Sequence, residues 1–384
     1  MLGLVSFFMD VSSEIVHALL PLFLTTTLGA SVAIVGLIDG VAESTAAITK
    51  VFSGYISDKI GRRKPLLLAG YGLAALTKPV FAVAAIPPVV FAARFADRIG
   101  KGLRGAPRDA LVADVTPYEI RGKAFGVRQA LDTAGAFTGP LLAIAFMALF
   151  ANDIRAVFWI AAIPAAISVL CVVFGVEDRA PVPDQDEARP PIRMMNISKF
   201  ERPFWIIAGV GFVFTLARFS EAFLILKANA GGLPLMWAPL VLVVMNVVYA
   251  LGAYPAGALS DRAPAGALLL FGVILLIGAD LALALTTGLG GAFLGIVLWG
   301  AHMAATQGLF AKLVADRAPA TLRGSAFGVF NLVTGAAMLF ASVLAGLLWT
   351  MIGPQATFFA GAGFAALAGV LVVATQRVRN KRKG

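Results

Sequence analysis

The sequence is poor in the residues that carry covalent and metal chemistry. Its 384 residues include one cysteine and two histidines, and only 14% are charged. A single cysteine, Cys171, excludes an internal disulfide and a thiolate metal cluster. It lies in an apolar run and reads as a small buried hydrophobe. No G-x-x-x-x-G-K-S/T segment occurs, so the chain lacks the loop that cradles the phosphates of ATP, and no cofactor is called for. Soluble domains carry about 25% charged residues, so a 59% hydrophobic chain with so few charges is not expected in water. The alternating ten-residue segments of a transmembrane β-barrel are also missing. Before the first apolar run there is neither a basic region nor a small-residue cleavage site, so no cleavable signal peptide is visible.

Long apolar runs fill the chain instead. About 20 apolar residues cross a bilayer, and twelve such runs can be counted: 2–25, 32–53, 65–86, 89–112, 123–149, 155–175, 204–227, 235–257, 265–286, 291–313, 324–350 and 355–376. Twenty-eight Phe and forty Gly suit closely packed membrane helices. The separators are short, except around 176–203, which is rich in Pro, Asp, Glu and Arg and reads as a solvated linker. The expected organisation is an all-α integral membrane protein with an N-terminal six-helix bundle (1–175), a cytoplasmic linker (176–203), a C-terminal six-helix bundle (204–376) and a basic cytoplasmic tail (377–384).

The formal net charge of +10 first suggests nucleic acid, but its placement follows membrane topology. With a cytoplasmic N-terminus, the outer loops hold only Arg155 and Lys227. Lys59, Arg62, Arg63, Lys64, Arg121, Lys123 and the tail then lie inside. This predicts a multi-pass protein of the cytoplasmic (inner) membrane with both termini cytoplasmic. Its partners would be lipid, protons and a small-molecule substrate, with no nucleic acid, and it is expected to be a monomer.

The fourth run breaks the apolar pattern. It carries Arg94, Asp97, Arg98, Lys101, Arg104, Arg108 and Asp109. At 100° per residue, positions 94, 97, 101, 104 and 108 fall within about 80° of one another. A charge at bilayer depth costs roughly 2.5–3.5 kcal/mol on insertion scales, so the stripe must face something other than lipid. It implies a polar, predominantly positive cavity. At 1.5 Å per residue from Val89, Arg94 lies about 8 Å deep, Lys101 about 18 Å and Arg108 about 28 Å. Arg94, Asp97, Arg98 and Lys101 are therefore substrate or coupling candidates. Arg104, Arg108 and Asp109 lie near the cytoplasmic mouth as gate candidates.

The two halves repeat. Leu111-Val-Ala-Asp114 and Arg121-Gly-Lys-Ala-Phe-Gly-Val127 recur at an offset of 202 as Leu313-Val-Ala-Asp316 and Arg323-Gly-Ser-Ala-Phe-Gly-Val329. Gly54-Tyr-Ile-Ser-Asp58 recurs as Gly257-Ala-Leu-Ser-Asp261. A parallel six-plus-six repeat with a site between the halves is a transporter architecture.

Gly54-Tyr-Ile-Ser-Asp58-Lys59-Ile-Gly61-Arg62-Arg63-Lys64 resembles the signature of the major facilitator superfamily (MFS), between its second and third helices. The resemblance implies two six-helix bundles rocking about a central site, lined by the first, fourth, seventh and tenth spans. It also implies that Asp58, Arg62 and Arg63, framed by Gly54 and Gly61, brace the cytoplasmic gate. The second copy keeps Gly257 and Ser260-Asp261-Arg262 but lacks the Gly-Arg-Arg portion. Gly135-x-x-x-Gly139-Pro140 in the fifth span resembles part of the superfamily's antiporter motif, although GxxxG also serves close helix packing. The fourth span carries more charge than the superfamily's usual pattern and resembles a prokaryotic subgroup.

Further polar groups lie in the spans. Asp10, Glu14 and His17 share one face of the first, and are open to three readings: proton or substrate coupling, structural pairing with the fourth-span bases, or a divalent-metal site. Arg128 and Asp132 form an i,i+4 pair in the fifth. Arg218 and Glu221 occupy the seventh, and His302, Thr306 and Gln307 the tenth. Asp39, Glu43, Lys78 and Asp280 are also within spans. Lys78 and Asp280 are read as snorkelling or lying near an end, outside the site.

These readings favour a secondary active transporter, not an enzyme, that exports a small anionic or amphipathic organic solute by proton-coupled alternating access. Divalent-metal efflux and proton-coupled uptake of a metabolite are the alternatives within transport. A non-transporting receptor or membrane enzyme is the alternative outside it.

Overall fold

The computed structural model describes residues 1–60, 62–117, 120–177, 200–318 and 322–381, and among these there are thirteen α-helices and no strand. In chain order they are α1 (Leu2–Leu22), α2 (Val32–Ile60), α3 (Lys64–Val83), α4 (Pro87–Val115), α5 (Arg121–Leu149), α6 (Ile154–Gly175) and α7 (Arg202–Leu216). They continue with α8 (Ala222–Ala230), α9 (Leu240–Arg262), α10 (Ala265–Leu285), α11 (Leu289–Ala315), α12 (Arg323–Met351) and α13 (Pro354–Lys381). Among the described residues, ten helical stretches are long and apolar enough to cross a membrane. α4 is long enough at 29 residues but too charged to count by composition.

Local chemistry sets the boundaries. Pro at the first helical positions opens α3, α4 and α7, where its missing N–H leaves no bond unmade. Asp153 caps α6 by accepting from the N–H groups of Arg155 (2.9 Å) and Ala156 (3.2 Å). Pro21 sits two residues before a π-helical segment, Phe23–Thr27. There the Thr25 hydroxyl donates to the Pro21 carbonyl at 3.0 Å and that of Thr26 to Leu22 at 2.6 Å, which matters where water is scarce.

The seventh run differs from expectation. It does not form one helix over 204–227 but two, α7 and α8, with Ala217–Glu221 between them. Nothing in Leu216-Ala-Arg-Phe-Ser-Glu221 is a helix breaker by propensity. The Ser220 hydroxyl instead accepts from the Ala222 N–H (3.1 Å), and the Ser220 N–H donates to the Ser342 hydroxyl (3.2 Å). Side chains thus replace helical bonds at the junction.

By packing, the chain divides into two compact units. The first comprises the described residues of Met1–Ala30 and Val41–Arg193, the second those of Ser31–Gly40 and Met194–Gly384. In the first unit α1 packs on α5 and α6, while α3 packs on α4 and α6. In the second, α7 packs on α12 and α13, while α10 packs on α11 and α13. These pairings are repeat mates of one another. α3 and α4 cross at Gly70 and Gly100, where a Cβ on Gly100 would meet the Gly70 carbonyl oxygen at 2.6 Å. That close approach locks the rotation of α4 and so the direction of its charges. Val5, Met9, Leu67, Tyr71 and Leu111 form the adjoining apolar core.

Candidate functional site

The charges of α4 are met by side chains from α1, α2, α3 and α5. Lys78 of α3 donates to the Asp97 carboxylate at 2.8 Å and to the Ser13 hydroxyl at 3.2 Å. Both members of the Lys78–Asp97 pair are buried, at 1% and 3% side-chain exposure. Lys78 therefore does not snorkel to an interface; it neutralises the first acid of the α4 stripe. Arg98 pairs with Glu43 of α2 at 3.2 Å and lies 3.9 Å from Asp97. Arg94 is 1% exposed and acts electrostatically on both Asp97 and Glu43. Arg94, Asp97, Arg98 and Arg104 are all buried. Burial is tolerated where each charge finds an opposite one.

Lys101 differs from its neighbours. It is exposed, and no hydrogen bond or ion pair is formed by it among the described residues. Its charge is felt by Glu43, Glu14 and Asp10 and opposed by Arg98. Asp10 is half-buried and likewise in no ion pair among the described residues, with Arg104, Asp132, Lys101 and Arg108 around it. Glu14 lies 3.5 Å from His17 Nδ1. Among the described residues no group of three or more His, Cys, Asp or Glu side chains is placed to hold a metal ion.

Gly135 and Gly139 set this acidic face against α5. A Cβ on Gly135 would lie 2.7 Å from the Phe7 carbonyl oxygen and 3.0 Å from Asp10 Cβ. One on Gly139 would lie 2.7 Å from Glu14 Cβ and 2.8 Å from the Val11 carbonyl oxygen. The spacing of four residues therefore serves to bring the α1 backbone, with both carboxylates, against α5.

Further along α4 the charges form a four-membered network. Arg108 lies 3.2 Å from Asp109 and 3.7 Å from Asp132; Arg128 lies 2.7 Å from Asp132 and 3.5 Å from Asp109. The i,i+4 pair of Arg128 and Asp132 is thus also an α4–α5 tie. Arg108 additionally donates to the Ser6 hydroxyl at 2.8 Å, which lies 3.3 Å from the Tyr71 hydroxyl. Arg104 stands over the Tyr71 ring, 4.8 Å from its centroid. Tyr71→Phe is expected to cost about 0.5–1.5 kcal/mol through the lost hydrogen bond while keeping the Arg104 contact. Denaturation of the purified protein in mixed micelles would check this.

At the signature loop, Arg63 donates to the Ser57 hydroxyl at 2.6 Å and pairs with Asp114 at 3.4 Å. It is buried, whereas Arg62 is exposed. Gly54 lies beside Ala106 of α4. Gly61 and the Asp58 side chain lie outside the described residues. In the second unit Arg218 and Glu221 lie within the α7–α8 junction, with Tyr249 near Arg218. Gln307 is half-buried. His302 is fully buried, its ring 5.3 Å from Trp299 and 6.2 Å from Phe214. It is not on an accessible surface of the unit. Asp39 accepts from the Ser220 hydroxyl at 2.8 Å and so supports the junction.

Sequence reasoning missed Glu43, Lys78, Asp114 and Tyr71 as members of these networks. The signal for the first two was present: each charge inside a span requires a named partner, an acid for the α4 bases and a base for Asp97.

Thirteen α-helices among the described residues, in two repeat-related units, one of them holding a buried ion network, define a multi-pass helical membrane protein of transporter type. Residues 2–342 match the model of the Major Facilitator Superfamily. The MFS-type transporter MJ1317 of Methanocaldococcus jannaschii is 31% identical over 381 residues, covering 97% of this chain and 93% of the relative. The chain belongs to the Major Facilitator Superfamily, a family of transporters. A part of it, 145 residues, is 30% identical to the multidrug resistance protein MdtH of Edwardsiella ictaluri, covering 38% of this chain and 35% of that protein. The crystal structure of the nucleoside transporter NupG superposes with a TM-score of 0.82 at 14% identity, covering 97% of this chain and 98% of that one. That likeness establishes the fold alone.

Proposed function

We propose that this transporter moves a small anionic or amphipathic organic solute across the cytoplasmic (inner) membrane by alternating access, exporting it in exchange for protons. The observation that carries the reading is the pair left over from the ion network of the first unit. Lys101 is an exposed cation and Asp10 a half-buried acid, each without an ion-pair partner among the described residues. Lys101 is the group for an anionic head, since a paired base would first have to break its own bond. Asp10 is the group for a proton: of the bases around it, Arg108 is engaged with Asp132 and Asp109, Arg104 stands over Tyr71, and Lys101 is left for the anionic head. Glu14 and His17 supply the next titratable positions on the same face. The partial likeness to a protein named for multidrug resistance supports export. The lysine and arginine bias of the loops supports cytoplasmic termini, and the protein acts as a monomer.

A thermal-shift screen of the purified protein against small organic anions and amphipathic drugs would first supply a ligand. Lys101→Gln is then expected to weaken its binding at least about tenfold, or 1.4 kcal/mol, with little change in the stability of the unliganded protein. Unchanged binding would sink the anion-site reading. In proteoliposomes, Asp10→Asn is expected to make transport indifferent to an imposed pH gradient. If wild-type transport already ignores the gradient, proton coupling is wrong.

A further inference from the structure

Lys101 has a second lysine beside its face of α4. Lys50 of α2 is exposed and, like Lys101, its side chain forms no hydrogen bond or ion pair among the described residues. Its place is set by a close approach of α2 to α4. A Cβ on Gly102 would lie 2.5 Å from Thr49 Cβ and 3.0 Å from the Ala46 carbonyl oxygen, and the Ser53 hydroxyl donates to the Gly102 carbonyl at 2.8 Å. With Thr49 and Ser53 held on Gly102, the stem of Lys50 crosses α4 at Gly105. Its Cε lies 3.6 Å, and its Cγ and Cδ 3.7 Å, from where a Cβ on Gly105 would stand.

Gly105 follows Lys101 by four residues, so the two positions are about 40° apart around α4 and about 6 Å apart along it. One face of the helix therefore carries two ammonium groups, one rooted on it and one laid across it from α2. The other bases nearby are engaged. Arg98 is tied to Glu43 at 3.2 Å, and Arg108 and Arg128 to Asp109 and Asp132. Arg104 stands over Tyr71 and is the base that acts most strongly on Asp10. Two positive charges are left without an acid at ion-pair distance. Like charges one turn apart repel, and charges within a span are retained where they meet a partner or a ligand. A lysine, a compact charge with three donors on a flexible stem, suits an anion that arrives and leaves.

We propose that the solute held here is an organic dianion, its two negative charges met by Lys101 and Lys50. The proposal deepens the anion-site reading and rests on it, with Lys50 supplying selectivity for the second charge. A monoanion would leave one ammonium unmatched, whereas a dianion matches both.

Isothermal titration calorimetry of the purified protein at about pH 8 compares probes of similar shape that differ by one charge. Phenyl phosphate has lost its second proton there, because that pKa is about 6, whereas phenyl sulfate stays a monoanion. Glutarate and its monomethyl ester form a second pair. Wild type is expected to bind one of the dianions at least about tenfold more tightly than its monoanionic partner. A preference for phenyl phosphate names phosphate monoesters as the solute class, and one for glutarate names dicarboxylates. Lys50→Gln should lower that dianion to the affinity of its partner, leave the partner unchanged and keep wild-type thermal stability. Lys50→Arg should retain the preference. Gly105→Leu, which lifts the Lys50 stem off α4, should act like Lys50→Gln with both lysines still present. Equal affinities within both pairs, or no binding of any probe, overturns the proposal. So does a preference that Lys50→Gln leaves intact. In that last case, weaker binding of both probes by Lys101→Gln leaves the anion site standing, whereas Lys101→Gln without effect removes the anion site itself.

Discussion

Replacing Asp97 with alanine is expected to destabilise the protein by about 3–5 kcal/mol, the largest loss from any single charge in the first unit. The reason is what remains. Lys78, at 1% side-chain exposure, would keep its ammonium with only the Ser13 hydroxyl at 3.2 Å for company. An unpaired buried cation is far worse than no cation. The double variant Lys78→Met with Asp97→Leu should therefore recover most of the loss, because two apolar side chains of similar size need no solvation. Unfolding in mixed micelles, comparing wild type, both single variants and the double, measures the coupling. If Asp97→Ala costs under about 1 kcal/mol, the pair is not the buried tie described here.

Gly139→Leu is expected to remove transport and to cost about 1–3 kcal/mol, the usual range for forcing extra atoms into a packed interior. Even one added carbon would sit 2.7 Å from Glu14 Cβ and 2.8 Å from the Val11 carbonyl oxygen, which is backbone and cannot rotate away. α1 would have to move off α5 and carry Glu14 and Asp10 with it. Gly139→Ala should show a smaller effect in the same direction. By contrast, a substitution at Gly122 or Gly126, where an added Cβ meets nothing within 4 Å, should be nearly silent on packing. Transport in proteoliposomes, read beside thermal stability, separates displaced carboxylates from simple unfolding. Wild-type transport by Gly139→Leu would remove the close contact as a requirement.

The helices were legible because bilayer spans are written as long apolar runs, and the repeat because the inner-loop segments kept their spelling. Partnership across helices was not legible. Glu43 and Arg98 are far apart in sequence, and their 3.2 Å contact depends on how α2 and α4 are rotated. Lys78 and Asp280 were set aside on the assumption that their helices are peripheral; in the structure both side chains are buried. Each residue lies on the buried face of its helix. Periodicity placed the charges of α4 on a single face. It says nothing about which of these charges pack against other side chains: Arg94, Asp97, Arg98 and Arg104 are buried, whereas Lys101 is exposed.

The interrupted seventh run has a bearing on biogenesis. α7 has 15 residues, about 22 Å of helix, too little for a hydrocarbon layer of about 30 Å. The nine residues of α8 are shorter still, and Arg218 and Glu221 stand between them. At roughly 2.5–3.5 kcal/mol for a central charge, this segment is a poor substrate for the insertion machinery by itself. Ser220 in its junction is held by Asp39 and Ser342, residues made long before and long after it. The second unit is therefore completed late in synthesis, when α12 delivers Ser342 to a segment that has been waiting for a partner.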